Sequence, residues 1–110
     1  MNTQNFIQQA SCIVKKQLSA QNDIDVACLA KELDIHPAHL YRKMKAALDI
    51  SPSVFIRSIR LEKATDLLLH SSLEVQQIAY QVGFGSSSYF ILCFKEKFGK
   101  TPMEYRTHAI

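Results

Sequence analysis

The amino-acid sequence predicts an all-α fold of seven helices, which form two helix-turn-helix lobes joined by a long linker helix. The 110-residue chain contains only three Gly and three Pro, and its many Leu, Ala, Lys and Gln residues favour helices. Apolar residues recur with helical spacing along most of the chain. An internal repeat, at an offset of 49 or 50 positions, pairs Val26 with Val75, Ala30 with Ala79, Lys45 with Lys95, and Pro52 with Pro102.

The first lobe is predicted at about residues 6–51 and contains three helices. The first helix starts at Phe6, and its buried stripe is expected to be Phe6, Ala10, Ile13, Val14 and Leu18. Asp25 is placed to cap a short second helix, and Ile35 fills the turn after it. Pro37 begins the third helix, because its missing N–H costs nothing at the first helical position. The inward side of this helix is predicted to be Leu40, Met44, Ala47 and Leu48.

The linker helix is predicted at about residues 52–71, with Ser51 as its N-cap. The second lobe follows at about residues 72–108 and repeats the pattern of the first. Gly83 can take the left-handed conformation at the end of its first helix. Ser86 or Ser87 caps the next helix, whose inward residues are predicted to be Tyr89, Phe90, Cys93, Phe94 and Phe98. Gly99 ends that helix, and a last short helix starts at Thr101-Pro102.

Positive charge is concentrated near the second helix of each predicted motif. The whole chain has a formal net charge of +3, which is weak evidence for a polyanionic partner. Residues 37–63 carry a net charge of +4, however, and residues 90–106 carry +2. Because a clustered basic surface says more about nucleic-acid binding than the total charge, this distribution and the repeated motif favour a DNA-binding protein.

Other classes of function have little support in the sequence. No coupled nucleophile and base, phosphate-binding loop or catalytic carboxylate pair is visible, so we expect no enzyme and no cofactor. His36 and His39 have an HxxH spacing, but nothing supplies further ligands, so no metal site is expected. Cys12, Cys28 and Cys93 form no CxxC pair and are interpreted as reduced, mostly buried thiols. With no signal peptide or spanning segment visible, we expect a cytoplasmic chain without membrane contact.

Several motifs occur together at fixed spacings. They are residues 83–90 (GFGSSSYF), Phe94-Lys95, Phe98-Gly99, Thr101-Pro102, Tyr105-Arg106, the linker-helix residues Arg60, Leu61, Ala64, Leu67 and Leu68, and residues 40–45 (LYRKMK). This combination resembles the AraC/XylS-type transcription regulators, over about residues 6–106. The resemblance implies a homeodomain-like DNA-binding domain over residues 1–110. Its third and sixth helices would enter successive major grooves of duplex DNA, roughly 34 Å apart.

The resemblance also implies which side chains contact DNA. The expected base contacts are Ala38, Tyr41 and Arg42 from the third helix, and Ser87, Ser88 and Leu92 from the sixth. The expected phosphate contacts are His39, Lys43, Lys45, Ser86 and Lys95, although each lysine could equally be an ordinary surface residue.

Position 92 departs from the family's common pattern. Many relatives carry Arg there, as the counterpart of Arg42, whereas this chain carries Leu92. An arginine can bind a guanine edge through two hydrogen bonds, worth about 1–3 kcal/mol of discrimination, whereas leucine offers only apolar contact, for example to a thymine methyl. We therefore predict that the first lobe carries most of the base specificity and that the second mainly positions the domain.

The leading hypothesis is sequence-specific binding of double-stranded DNA that regulates bacterial transcription. The alternative is a helical protein–protein adaptor with weak or nonspecific DNA binding. Because family members usually attach this domain to another module, we expect an output domain excised from a larger regulator with an N-terminal sensor, receiver or dimerisation domain. RNA polymerase is a further expected partner. The isolated domain should be monomeric, since no apolar heptad seam is visible.

Overall fold

A computed structural model describes residues 3–20 and 23–108, and it confirms the seven-helix fold. The helices are α1 (Thr3–Ser19), α2 (Val26–Glu32), α3 (Pro37–Leu48), α4 (Pro52–His70), α5 (Val75–Gln81), α6 (Ser87–Phe98) and α7 (Pro102–His108). No strand occurs within the two described ranges. The chain divides into two compact units that meet inside α4, between Ile59 and Arg60. We call them the first unit and the second unit.

The core of the first unit is mainly aliphatic. Helix α1 packs against α2 and α3 along the predicted stripe. The buried residues are Phe6, Ala10, Val14, Leu18, Ile24, Leu29, Ala30, Leu40, Met44, Phe55, Ile56 and Ile59. Ile35 packs against them from the turn after α2, as predicted. Burial of each large apolar side chain favours folding by about 1.5–3 kcal/mol, so this cluster fixes how α3 lies on its unit.

Two details of the first unit differ from the prediction. Helix α1 begins at Thr3 rather than Phe6, because its first turn is formed by exposed polar residues that leave no apolar pattern in the sequence. Leu48 was expected to face the core but is 41% exposed. It is the last residue of α3, and half-buried Ile50, beyond the helix end, packs against the core instead.

The core of the second unit is built around aromatic rings. Its buried residues are Leu61, Ala64, Leu68, Ile78, Ala79, Val82, Phe84, Phe90, Cys93 and Phe94. The ring of Phe94 lies 5.8 Å from Phe90, 4.6 Å from Phe98 and 5.5 Å from Tyr105, measured between centroids. Such tilted and edge-to-face pairs add about 0.5–1.5 kcal/mol each beyond their buried area. Helices α6 and α7 are therefore joined through one aromatic cluster.

The prediction that Tyr89 faces this core is wrong. Its side chain is 47% exposed, while the adjacent Phe90 is fully buried. Successive residues of a helix point about 100° apart, so both rings cannot occupy the same side of α6. Tyr89 instead lies at the edge of the core, with its ring centroid 5.9 Å from that of Phe84.

The predicted helix ends are confirmed by their capping bonds. The Asp25 carboxylate accepts from the Cys28 N–H at 2.8 Å, and the Ser51 hydroxyl accepts from the Val54 N–H at 3.3 Å. At α7, Thr101 and Glu104 form a reciprocal capping box, with N···O distances of 2.9 and 3.1 Å. These bonds hold the pKa of Asp25 and of Glu104 below their usual values, because each carboxylate accepts a backbone N–H.

Cysteine burial was predicted incorrectly for two of the three thiols. Cys93 is buried in the second unit, but Cys12 and Cys28 are exposed. Each exposed cysteine lies beside an apolar position rather than on the buried side of its helix. Among the described residues, no group of three or more His, Cys, Asp or Glu is arranged to hold a metal ion. Within those residues, no helix combines the length and apolar character needed to cross a membrane.

Candidate nucleic-acid interface

The two helix-turn-helix turns have the same backbone hydrogen bonds. In the first unit, the Ile35 N–H donates to the Ala30 carbonyl at 3.0 Å. In the second unit, the Phe84 N–H donates to the Ala79 carbonyl at 2.9 Å. The residue before each donor has a positive φ: 58° at Asp34 and 98° at Gly83. The internal repeat of the sequence is therefore a repeat of turn geometry.

The N-terminus of α3 is fixed by a histidine and a proline. The Nδ1 atom of His36 accepts from the Ala38 N–H at 3.1 Å, and Pro37 occupies the first helical position. Leu40 and Met44 of α3 are fully buried. The opposite side exposes a row that we call the first strip, which consists of Ala38, Tyr41, Arg42 and Lys45. Residues three, four and seven apart share one side of a helix, so this strip is continuous.

Helix α6 begins with a serine cap and exposes an equivalent row. The Ser86 hydroxyl accepts from the Tyr89 N–H at 3.3 Å. Ser86 is thus the cap, and Ser87 is half-buried. The exposed row, which we call the second strip, consists of Ser88, Ile91, Leu92 and Lys95. Each member stands 50 positions after its counterpart in the first strip, so Leu92 corresponds to Arg42 and Lys95 to Lys45.

The predicted phosphate contacts fall into different surroundings. Lys45 and Lys95 lie on the strips, and Lys45 Nζ is 3.8 Å from Asp49 Oδ1. His39 is exposed on α3. Lys43 is half-buried, with its Nζ 4.3 Å above the ring of Phe6, so its ammonium group contributes to the packing of α3 on α1. The structure therefore brings Lys45 and Lys95 onto the strips, and leaves Lys43 beside the core.

Two arginines in the basic segments have structural contacts that the sequence did not predict. Arg60 of α4 donates from Nη1 to the Gly83 carbonyl at 2.6 Å and so holds the turn of the second unit. Arg106 of α7 donates to the carbonyls of Leu68 and Ser71, at 3.0 and 3.2 Å. An arginine that binds a distant carbonyl leaves no periodic signal in the sequence. The charge of these segments therefore overstates the number of cations that the strips present.

Comparisons with known proteins agree with this geometry. Residues 29–108 match the family described as "Helix-turn-helix domain". The chain belongs to the AraC/XylS family of transcription regulators. The seven helices found in residues 3–20 and 23–108 are those of the family's DNA-binding domain.

Three proteins to which the chain is similar have different described roles. Histidine kinase P4 of Formosa agariphila is 37% identical over 103 residues, which are 94% of this chain and 7% of that protein. The lactose operon transcription activator of Staphylococcus xylosus is 35% identical over 80% of this chain and 32% of its own length. The C-terminal domain of AraT, a response regulator from Geobacillus stearothermophilus, has a TM-score of 0.77 and 34% identity, with 92% of this chain and 83% of that one covered. The chain spans well under half of the length of the two curated relatives.

Proposed function

We propose that this domain binds a specific sequence of double-stranded DNA in the major groove, with α3 and α6 as its two recognition helices. The observation that carries the proposal is the pair of equivalent exposed strips, each on a helix that a helix-turn-helix motif presents. The major groove is wide enough to admit an α-helix, and each base pair presents there a distinct set of donors, acceptors and methyl groups. Each strip exposes four side chains along successive turns of its helix, which suits it to contact the edges of base pairs in the major groove.

We assign base contacts in the first unit to Ala38, Tyr41 and Arg42. Arg42 is exposed on the first strip and carries five N–H donors in a planar group, which matches the O6 and N7 acceptors of guanine. In the second unit the assigned base contacts are Ser87, Ser88 and Leu92. Because the second strip has no guanidinium group where the first has Arg42, most of the hydrogen-bonded base specificity belongs to α3.

We assign phosphate contacts to His39, Lys43, Lys45, Ser86 and Lys95. Lys45 and Lys95 are exposed at equivalent places on the two strips. Phosphate contacts orient a protein on the duplex and make its affinity depend on salt, without selecting a sequence. Lys43 would have to leave the Phe6 ring, and the Ser86 hydroxyl already accepts the capping bond.

The larger regulator is part of the proposal. We infer that this domain acts in the cytoplasm as the output module of a longer bacterial protein, joined to a sensor, receiver or dimerisation domain. Its role is binding rather than catalysis, with RNA polymerase as a further partner. The names of the relatives support this, because they include a histidine kinase, a response regulator and an operon activator. Copurification of RNA polymerase with the full-length protein on its promoter tests the last point.

The test is selection of random duplex DNA by this domain at near-physiological salt. We expect a bipartite sequence with the sharper preference in one half. Arg42→Ala should lower affinity for the selected site by about 1–3 kcal/mol and relax the preference at a guanine. Lys15→Ala removes an exposed cation from α1 and serves as the matched control, with the preference unchanged.

Three results would contradict the proposal or its parts. Binding without an enriched sequence would mean that the domain supplies phosphate affinity alone. Absence of binding even at low salt would favour the protein–protein adaptor. If neither Arg42→Ala nor Leu92→Arg changes the selected sequence, the assignment of base specificity to α3 is wrong.

A further inference from the structure

The second strip carries exposed apolar surface at the place where the first strip carries a cation. Leu92 is 65% exposed, the largest exposed fraction of any large hydrophobic residue in the described part of the chain. Ile91, beside it on α6, is also exposed, and it corresponds to Tyr41 of the first strip. The position that bears the guanidinium group of Arg42 in α3 therefore bears a branched hydrocarbon in α6.

Two residues next to Leu92 on the second strip are suited to a polyanionic partner, whereas the exposed Glu96, which also lies one turn after Leu92, is not. Ser88 lies one turn before Leu92 and supplies a hydroxyl group, and Lys95 lies one turn after it and supplies an exposed ammonium group. Lys95 has its counterpart in Lys45, so the cation at the end of the strip is present in both units. The second strip thus keeps the cation at the end of the row, and at its centre it has a hydrocarbon side chain in place of the guanidinium group.

A duplex offers one apolar group on the edges of its bases in the major groove. That group is the C5 methyl of thymine, whereas guanine, adenine and cytosine present donors and acceptors there. Contact with a methyl removes the exposed surface of Leu92 from water, which is favourable. Contact with a donor or acceptor of another base would cover that polar group without a hydrogen bond, which is unfavourable.

We propose that α6 recognises the 5-methyl group of thymine through Leu92, with Ile91 enlarging the apolar contact. This inference rests on the proposed function and assigns a chemical group to its second recognition helix. The second unit then prefers T·A pairs without hydrogen-bonded recognition of a base at that position. Its preference is weaker than that of α3 and depends on a substituent that can be removed from DNA without disturbing base pairing.

The test replaces each thymine of the selected duplex, one at a time, with deoxyuridine, which lacks only the methyl group. We expect one or two positions to weaken binding by about fourfold each, the equivalent of one buried methyl group. In the Leu92→Ala variant the same replacements should have no effect. In Arg42→Ala the full fourfold effect should remain, because α3 does not contact those methyl groups.

A second arm restores the methyl group on another base. Changing the sensitive T·A pair to C·G should weaken binding, and 5-methylcytosine at the same position should recover part of the loss in the wild-type protein but not in Leu92→Ala. Leu69→Ala is the matched control, because Leu69 is an exposed leucine of the second unit that lies outside α6. It should leave both responses unchanged.

The outcomes separate this inference from the proposed function. If the wild-type domain selects a sequence and no deoxyuridine replacement weakens binding, thymine-methyl recognition is wrong while DNA recognition stands. The same conclusion follows if every sensitive position remains equally sensitive in Leu92→Ala. If no sequence is selected at all, the proposed function itself fails.

Discussion

The two helix-turn-helix motifs share the hydrogen bonds of their turns, and they differ in most of the side chains that their second helices expose. The hydrogen bonds of the turn after α2 are repeated after α5, with the donors Ile35 and Phe84 in the same role. The turn itself uses Asp34 in one unit and Gly83 in the other. The core of the first unit is mainly aliphatic, and that of the second is built around aromatic rings. Leu92 of the second strip stands at the position equivalent to Arg42 of the first. A few turn and core positions therefore set the motif, while the exposed strips of the two motifs differ at three of four positions.

The largest expected effect is in the cores, at the equivalent positions Met44 and Phe94. Both side chains are fully buried. We expect Met44→Ala to lower the free energy of unfolding by about 2–5 kcal/mol and Phe94→Ala by about 3–5 kcal/mol, because each leaves a cavity. Phe94 should cost more, since its ring also contacts three other aromatic rings. Urea unfolding measures both, with the exposed Leu48→Ala as a control, and a larger loss for Met44→Ala would contradict the comparison of the two cores.

The next largest effect is expected for substitutions in the turns of the two helix-turn-helix motifs. Gly83→Ala puts a side chain at φ 98°, and its Cβ would collide with the guanidinium group of Arg60. We expect a loss of about 1–3 kcal/mol in unfolding free energy. Gly85→Ala is the matched control, because its φ is ordinary and no atom lies within 4 Å of the new Cβ. In the first unit, Asp34→Gly should change stability by less than about 1 kcal/mol. Equal losses for Gly83→Ala and Gly85→Ala would show that the Arg60 contact does not constrain this turn.

A smaller effect is expected for the lysines at the end of each strip. Lys45→Ala and Lys95→Ala should each reduce the slope of log affinity against log salt by about 1, with the preferred sequence unchanged. Titration of the selected duplex at several salt concentrations measures the slope. The control variant Lys15→Ala, on α1, should leave the slope unchanged. A change in sequence preference for either strip lysine would indicate a base contact instead.

The smallest effect is expected from acid, through the capping carboxylates Asp25 and Glu104. Their pKa values are lowered in the folded protein, first by backbone hydrogen bonds, from Cys28 to Asp25 and from Thr101 to Glu104. The stabilisation is therefore complete above the unfolded pKa values, about 3.9 for Asp and 4.3 for Glu, and is lost as the pH falls through the lower folded values. Urea midpoints measured from pH 7 to pH 3 should fall less steeply for Asp25→Asn, which keeps a capping oxygen but does not titrate. Identical pH profiles for the variant and the wild type would show that Asp25 does not contribute to the pH dependence of stability.

The sequence was sufficient for the parts of the fold that depend on local signals. Asp25, Pro37, Ser51 and Gly99 mark helix ends through capping chemistry that acts within a few residues. The apolar stripe of α1 follows from helical spacing. The internal repeat located both turns, and the strip residues Arg42 and Leu92 are exposed as the pattern required.

The remaining features depend on contacts between distant parts of the chain. Arg60 was grouped with the basic residues, yet it donates to a carbonyl 23 positions away. Lys43 was expected to contact phosphate, and its position above Phe6 depends on the packing of α1 against α3. Tyr89 was assigned to the core, because a run of aromatic residues does not by itself reveal which ring points inward. Periodicity gives the side of a helix to within about one residue, and burial is decided by what packs against it.

The cap of α3 has a further consequence for the proton on His36. Because Nδ1 accepts the Ala38 N–H, that nitrogen has a lone pair, and a neutral imidazole must carry its proton on Nε2. The equivalent cap of α6 is the Ser86 hydroxyl, which accepts the Tyr89 N–H and has no tautomers. Nitrogen NMR of the His36 ring would show the Nε2–H tautomer, with the lone pair on Nδ1 directed at the Ala38 N–H.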